Sequence, residues 1–128
     1  MDLRSPPGHP APAGYHHVAI VPAGRQVWTA GQLPTDGDGA VASSWDAQAR
    51  QVFANVGEAL AAGGASWSDV FRIAIYMTDL DGLGAVREAR DSVIDSSRPP
   101  ISTLVVVAGL VHPQARVEVE AVAALPPD

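Results

Sequence analysis

The stretch DVFRIAIYMTDL, Asp69 to Leu80, decides the fold. Its alternation puts Phe71, Ile73, Ile75 and Met77 on one side of an extended chain and Arg72, Ala74, Tyr76 and Thr78 on the other, as in a strand with one buried face. Upstream the period changes. From Ser44 onward Ala49, Val52, Phe53, Val56, Ala59 and Leu60 recur at three- and four-residue spacing, which predicts a helix. Ser44 can cap it, Asp46 suits its positive end, and Gly63-Gly64 ends it. Downstream, a shorter helix is expected from about Leu83 to Ile94, with Asp79 or Asp81 as its cap and its end set by Ser96, Ser97 and the prolines. Two further β-type runs, STLVVVAGL and ARVEVEAVAAL, follow, joined by a loop that contains His112 and Pro113.

At the other end of the chain, prolines 6, 7, 10 and 12 preclude a regular helix or a central strand, so residues 1–13 are expected to form a flexible, extended arm. Order is expected to begin near Tyr15, giving a single domain over residues 14–128. The run HHVAIVPAGRQVWTAGQLP reads as a hairpin of two short strands about a Pro-Ala-Gly turn, where Gly24 can adopt positive φ. TDGDGA supplies another turn before Val41. Hairpin, helix, strand, helix, strand, strand packs most economically as an α+β sandwich, with two helices on one face of a mixed sheet. The opposite face then lies uncovered, and self-association through it is expected.

The 128 residues suffice for one core, and 47% hydrophobic with 17% charged residues indicates a compact chain. No window approaches a bilayer span and no leader-like segment opens the chain, so no membrane partner and a cytoplasmic location are expected. The absence of cysteine excludes disulfides, thiol nucleophiles and Cys-type zinc sites. With a net charge of −6 and all 8 basic residues arginine, none in a run, nucleic acid is not an expected partner. The missing lysine also removes Schiff-base chemistry. His16 and His17 are adjacent and face opposite ways in a strand, while His9 and His112 lie in the arm and a loop, so no metal site is expected.

Few residues remain to carry chemistry. Glu118 and Glu120 in VEVEAV point to one face of a strand, either as a solvated surface or, beside a cleft, as working carboxylates. Gly31 in AGQLP is either a strand terminator or a backbone that an anionic ligand approaches closely. Tyr15 is either a pocket wall or a residue at the edge of the core. Arg87 stands at the border of the second helix's apolar stripe, where arginines usually snorkel. Ser102 and Thr103 have no base beside them in sequence.

The chain resembles the Rid family, the YjgF-type reactive-intermediate deaminases. The resemblance rests on GY at 14–15, WTAGQLP at 28–34, DAQARQVFANVGEALAAGGAS, VFRIAIYMTDLDGLGAV, RPPIST and VEVEAVA in that order, covering about residues 14–124. It implies a chorismate-mutase-like fold, a homotrimer with a small-molecule metabolite in pockets at the subunit interfaces, and cofactor-free hydrolysis of reactive enamines and imines to 2-oxo acids and ammonia. In active members an Arg after the Pro pair clamps the substrate carboxylate and a Glu on the last strand positions water.

Carried over residue by residue, Tyr15, Gly31 and Glu118 match. Ile101 stands where the clamping Arg is expected, Ala30 where a small polar residue is usual, and Arg87 where Asn is usual. The expected site is therefore Glu118 as the catalytic group, with Tyr15, His17, Ala30, Gly31, Arg87, Ile101 and Ser102 binding substrate. An aliphatic side chain does not offset the desolvation of a carboxylate. Either a guanidinium has moved, from Arg87 or Arg98, or the pocket takes a ligand without a carboxylate there. The resemblance thus implies a divergent hydrolase or, alternatively, a non-catalytic binding trimer.

Overall fold

The structure, a computed structural model, describes residues 1–127. Its framework is a four-stranded mixed sheet in the order β3 (Gln26–Trp28), β6 (Val117–Ala124), β4 (Val70–Met77), β5 (Ile101–Val106). β4 pairs antiparallel with β6 and parallel with β5, and β3 pairs antiparallel with β6. Helices α1 (Trp45–Ala62) and α2 (Leu83–Val93) pack on each other, and Ile73, Ile75, Met77, Val117, Val119, Ala121 and Ala123 join Val52, Phe53, Val56, Leu60 and Val86 in one core. This is the expected α+β arrangement, two helices on a mixed sheet.

Local chemistry sets the helix ends. The Ser44 side chain accepts the Ala47 N–H and the Gly63 N–H closes the last turn of α1. Asp79 caps a 3₁₀ turn, Leu80–Gly82, that precedes α2, and Gly82 occupies the α2 cap position with no side chain to offer. The buried Gln48 ties the start of α1 to the last strand. Its Nε2 donates to the Ala42 and Gln114 carbonyls at 2.8 and 3.0 Å, and its Oε1 accepts the Arg116 N–H at 2.8 Å. A buried amide with its hydrogen-bonding groups satisfied fixes one register of helix on sheet.

Three expectations need correction. The run 16–34 is not a hairpin: β2 (Val18–Ile20) pairs with β1 (Asp2–Arg4), whereas β3 pairs with β6. Each run is only three residues long, so little pairing energy ties one to the other. The eight-residue β6 offers β3 a longer partner, and the His16 bridge to Ile101 carries the other run to the far edge of the sheet. Gly24, with no hairpin turn to make, is not among the glycines of positive φ. The N-terminal arm holds a strand, so regular structure starts at Asp2 and not near Tyr15, with β1 at the edge of its two-stranded sheet. Finally, the register of β4 on β6 slips between Val70 and Arg72, so Val70 is buried in the core while Phe71 is only half-buried. A bulge shifts the alternation by one residue at that end of the strand.

The sheet face away from the helices carries Arg72, Ala74 and Tyr76 from β4 opposite Val122, Glu120 and Glu118 from β6, with Ile101, Thr103 and Val105 from β5 alongside. Trp28 at the β3 edge of this face is 68% exposed, and Val105 on β5 is exposed as well.

Candidate functional site

The antiparallel pairing of β6 with the segment after β3 builds a contact between a glycine and a glutamate. Gln32 N–H donates to the Val119 carbonyl at 2.8 Å and Val119 N–H returns a bond to Gln32 at 3.1 Å, which holds Gly31 against Glu118. A Cβ at position 31 would stand 2.8 Å from Glu118 Cδ and closer still to Oε2. With glycine there the carboxylate takes that space, and an added Cβ makes the Glu118 side chain shift. The loop beyond is pinned from α1: Asn55 Nδ2 donates to the Leu33 and Thr35 carbonyls, both at 2.8 Å, and Gln51 Nε2 donates to Asn55 Oδ1 at 2.8 Å. Ala30 is exposed, with its carbonyl accepting Gln32 Nε2 at 3.2 Å.

Beside Glu118, directly across the ladder, lies Tyr76, whose hydroxyl donates to Glu120 Oε1 at 2.5 Å. That bond first, then burial and the Glu120 charge, push the Tyr76 phenol above its ordinary range. The folded pKa exceeds the unfolded one, so the contribution to stability is complete below the ordinary phenol pKa of about 10 and is lost as pH rises through the raised value. In an ultraviolet titration one of the 2 tyrosines therefore ionises late, and Glu120→Ala brings it down. An unchanged titration curve in Glu120→Ala would show that Glu120 does not hold the phenolic proton.

The other expected residues gather elsewhere. The His16 N–H bonds the Pro100 carbonyl at 3.1 Å and His16 Nδ1 donates to the Pro99 carbonyl at 2.5 Å, which places the Tyr15–His17 segment beside the start of β5 and Ile101. Tyr15 and His17 meet edge to face, 5.4 Å between ring centroids. Gly14, at φ +78°, lets the chain pass against the buried Arg90 guanidinium, which pairs with Asp91 at 2.9 Å. Along β4 the Ile101 partner is Arg72 and the Glu118 partner is Tyr76, four residues apart, or about 13 Å along the strand.

Within one chain the expected site thus falls into two halves: Gly31 with Glu118, and Tyr15 and His17 beside Ile101. Arg87 is exposed on α2, in the helix layer. Ser102 is registered with Ile73 and so shares the helix-facing side of β5, while Thr103 faces the open side opposite Ala74. Arg98 donates to the Met1 carbonyl at 2.6 Å. A cleft of about 610 Å³ between the start of α1 and the loop before β6 is lined by Gln48, Thr78, Gln114 and Arg116 and touches neither half. Its one charged lining group, Arg116, lies over the Trp45 ring, and the carboxylates stand elsewhere, so the chemistry is sought on the sheet. Sequence reading missed Asn55, Gln48, Tyr76 and Arg72, and a register of β4 against both neighbours is the signal that finds the last two.

These features define a small α+β protein that presents a glycine-backed carboxylate on the free face of its sheet. The chain belongs to the family described as Endoribonuclease L-PSP, whose model matches residues 8–125. Its relatives carry the names of the RutC and Rid proteins. A RutC family protein of Synechocystis sp. is 32% identical over 124 residues, 91% of each chain. A 2-iminobutanoate/2-iminopropanoate deaminase of Salmonella typhimurium is 32% identical over 110 residues, 84% of this chain and 85% of the relative. Among solved structures, YyfB of Yersinia pestis, a Rid family protein of unknown function, superposes with a TM-score of 0.87 at 27% identity, covering 97% of this chain and 98% of the other. Among the described residues no helix is long and apolar enough to cross a membrane.

Proposed function

We propose that the protein is a homotrimeric, cofactor-free imine or enamine hydrolase whose substrate differs from the small 2-imino acids. The observation that carries this reading is the Gly31–Glu118 contact: a carboxylate held on a sheet face against a glycine kept free of a side chain. In that place Glu118 takes a proton from a water as the water's oxygen bonds to the C=N carbon. The imine nitrogen is protonated, the resulting carbinolamine collapses, and the products are ammonia and a carbonyl compound. The Gly31 N–H is a donor for a polar substrate atom.

The split site and the bare face support the assembly proposed. Half-sites about 13 Å apart along one strand do not act on one small molecule, whereas a second copy laid on the open face brings a Glu118 half to an Ile101 half. The ribonuclease action in the family's description fits poorly with a net charge of −6 and no lysine. Ile101 and Ala30, apolar where active relatives are polar, favour the alternative of a trimer that binds a metabolite or partner without turning it over.

Imines of varied side chain, generated by an amino-acid oxidase in the presence of a trapping amine, separate these readings. At least one imine is expected to be cleared faster than by water, and Glu118→Gln is expected to abolish that gain. No acceleration for any member of the panel leaves only the binding role.

A further inference from the structure

The open face carries a guanidinium beside the position where one is missing. Arg72 on β4 is the direct ladder partner of Ile101 on β5, and adjacent strands lie about 4.8 Å apart. Both side chains therefore leave the sheet on the same side, and an arginine is long enough to extend over an isoleucine at that spacing. Arg72 is half-buried, and its side chain has no ion pair or hydrogen bond among the described residues. The nearest carboxylate on the face that can answer it is Glu120, diagonal to it across β6. That carboxylate is held by the Tyr76 hydroxyl. Glu120 stays anionic while it accepts that bond, and the Arg72 charge is felt at the Tyr76 phenol, yet no hydrogen bond or ion pair ties Arg72 to either residue. A half-buried guanidinium without a direct partner keeps its donors for an anion.

We propose that Arg72 supplies, from the strand beside Ile101, the carboxylate contact that residue 101 does not provide, so that the site takes small organic acids. This rests on the site proposed above and specifies its substrate class. Moving the clamp by one strand displaces the bound carboxylate toward β6, so the carbon attacked by water is no longer that of a small 2-imino acid. An acid of different length or shape is in register instead.

Binding of 2-oxobutanoate, measured by calorimetry on the intact protein, tests it. Arg72→Ala is expected to weaken binding about tenfold or more, the loss of a charge-assisted contact. Arg72→Lys, a point charge without the planar fork, is expected to fall between. Ile101→Arg in the Arg72→Ala background is expected to restore binding, and Arg72→Gln, which keeps the stem, is expected to lose as much binding as Arg72→Ala, a loss that a merely structural role for Arg72 does not produce. Tyr76→Phe, which frees Glu120 to pair with Arg72, is expected to weaken binding as well. Should Arg72→Ala not fold, Arg72→Gln keeps the stem and removes the charge. Wild-type protein that ignores 2-oxobutanoate at millimolar concentration, or an Arg72→Ala variant that binds it within twofold of wild type, overturns the proposal. Neither result touches the Glu118 reading, which the imine panel decides separately.

Discussion

Ile101→Arg gains hydrolysis of 2-iminobutanoate by roughly 10- to 100-fold over the wild-type chain, the range that a charge-assisted contact to a carboxylate supplies. Ile101 already occupies the first position of β5, with its side chain on the face of Glu118, so the substitution changes the reach and charge of one side chain and leaves the ladder intact. Its cost is the like charge of Arg72 directly opposite, on the order of 0.2–1 kcal/mol. Adding Glu118→Gln to this variant removes the gain, because a general base contributes about 10²–10⁴ in rate. Steady-state rates of the single and double variants check both steps. A gain that survives Glu118→Gln would place the water-activating group elsewhere.

Trp28→Glu combined with Val105→Glu is expected to convert the proposed trimer to monomers. Both residues stand on the helix-free side of the sheet, 68% and 43% exposed in the single chain. Burying a tryptophan there removes on the order of 150 Å² of apolar surface from water, about 4 kcal/mol per contact at 25 cal/mol/Å². A carboxylate in the same place reverses the sign, since it is desolvated without a partner. Sedimentation at fixed protein concentration distinguishes the forms. Activity is expected to vanish with assembly while the circular dichroism of the monomer stays unchanged, because neither side chain belongs to the core that the helices cover. A double variant that sediments with the wild type would mean that copies meet through another surface.

How far the sequence carries depends on how local the determining interaction is. Helix α1 was legible because its stripe from Ala49 to Leu60 and its Ser44 cap are encoded within a few residues of each other. β4 and β6 are legible for the same reason, with alternation carried along most of each eight-residue strand. The three-residue β2 and β3 carry no such excess of local signal, and their partners, Asp2–Arg4 and Val122–Ala124, lie far along the chain. Adjacency in sequence suggests a hairpin, but β3 takes the longer β6 and β2 takes β1. The bulge at Phe71 leaves no mark in composition, since Val70 and Phe71 are equally suited to a core.

The site divides in the same way. Gly31 and Glu118 can be assigned from their motifs, but the fact that joins them, a carboxylate lying where a Cβ would be, exists only once Gln32 pairs with Val119. Arg72 reads in sequence as the polar phase of an alternating strand, which is how a solvated arginine also reads. Its meaning comes from the parallel register with Ile101 and from the lack of a hydrogen bond or ion pair to its side chain among the described residues. Ser102 shows the converse: the neighbour of a site residue in sequence lies on the opposite face of the strand.

The most direct test sets wild-type protein beside the Salmonella typhimurium 2-iminobutanoate/2-iminopropanoate deaminase in one assay of 2-iminobutanoate hydrolysis at equal site concentration. With an isoleucine at position 101, clearance at least about tenfold slower than the relative's is expected. Equal clearance by the two proteins would mean that the side chain at 101 does not govern how the acid is gripped.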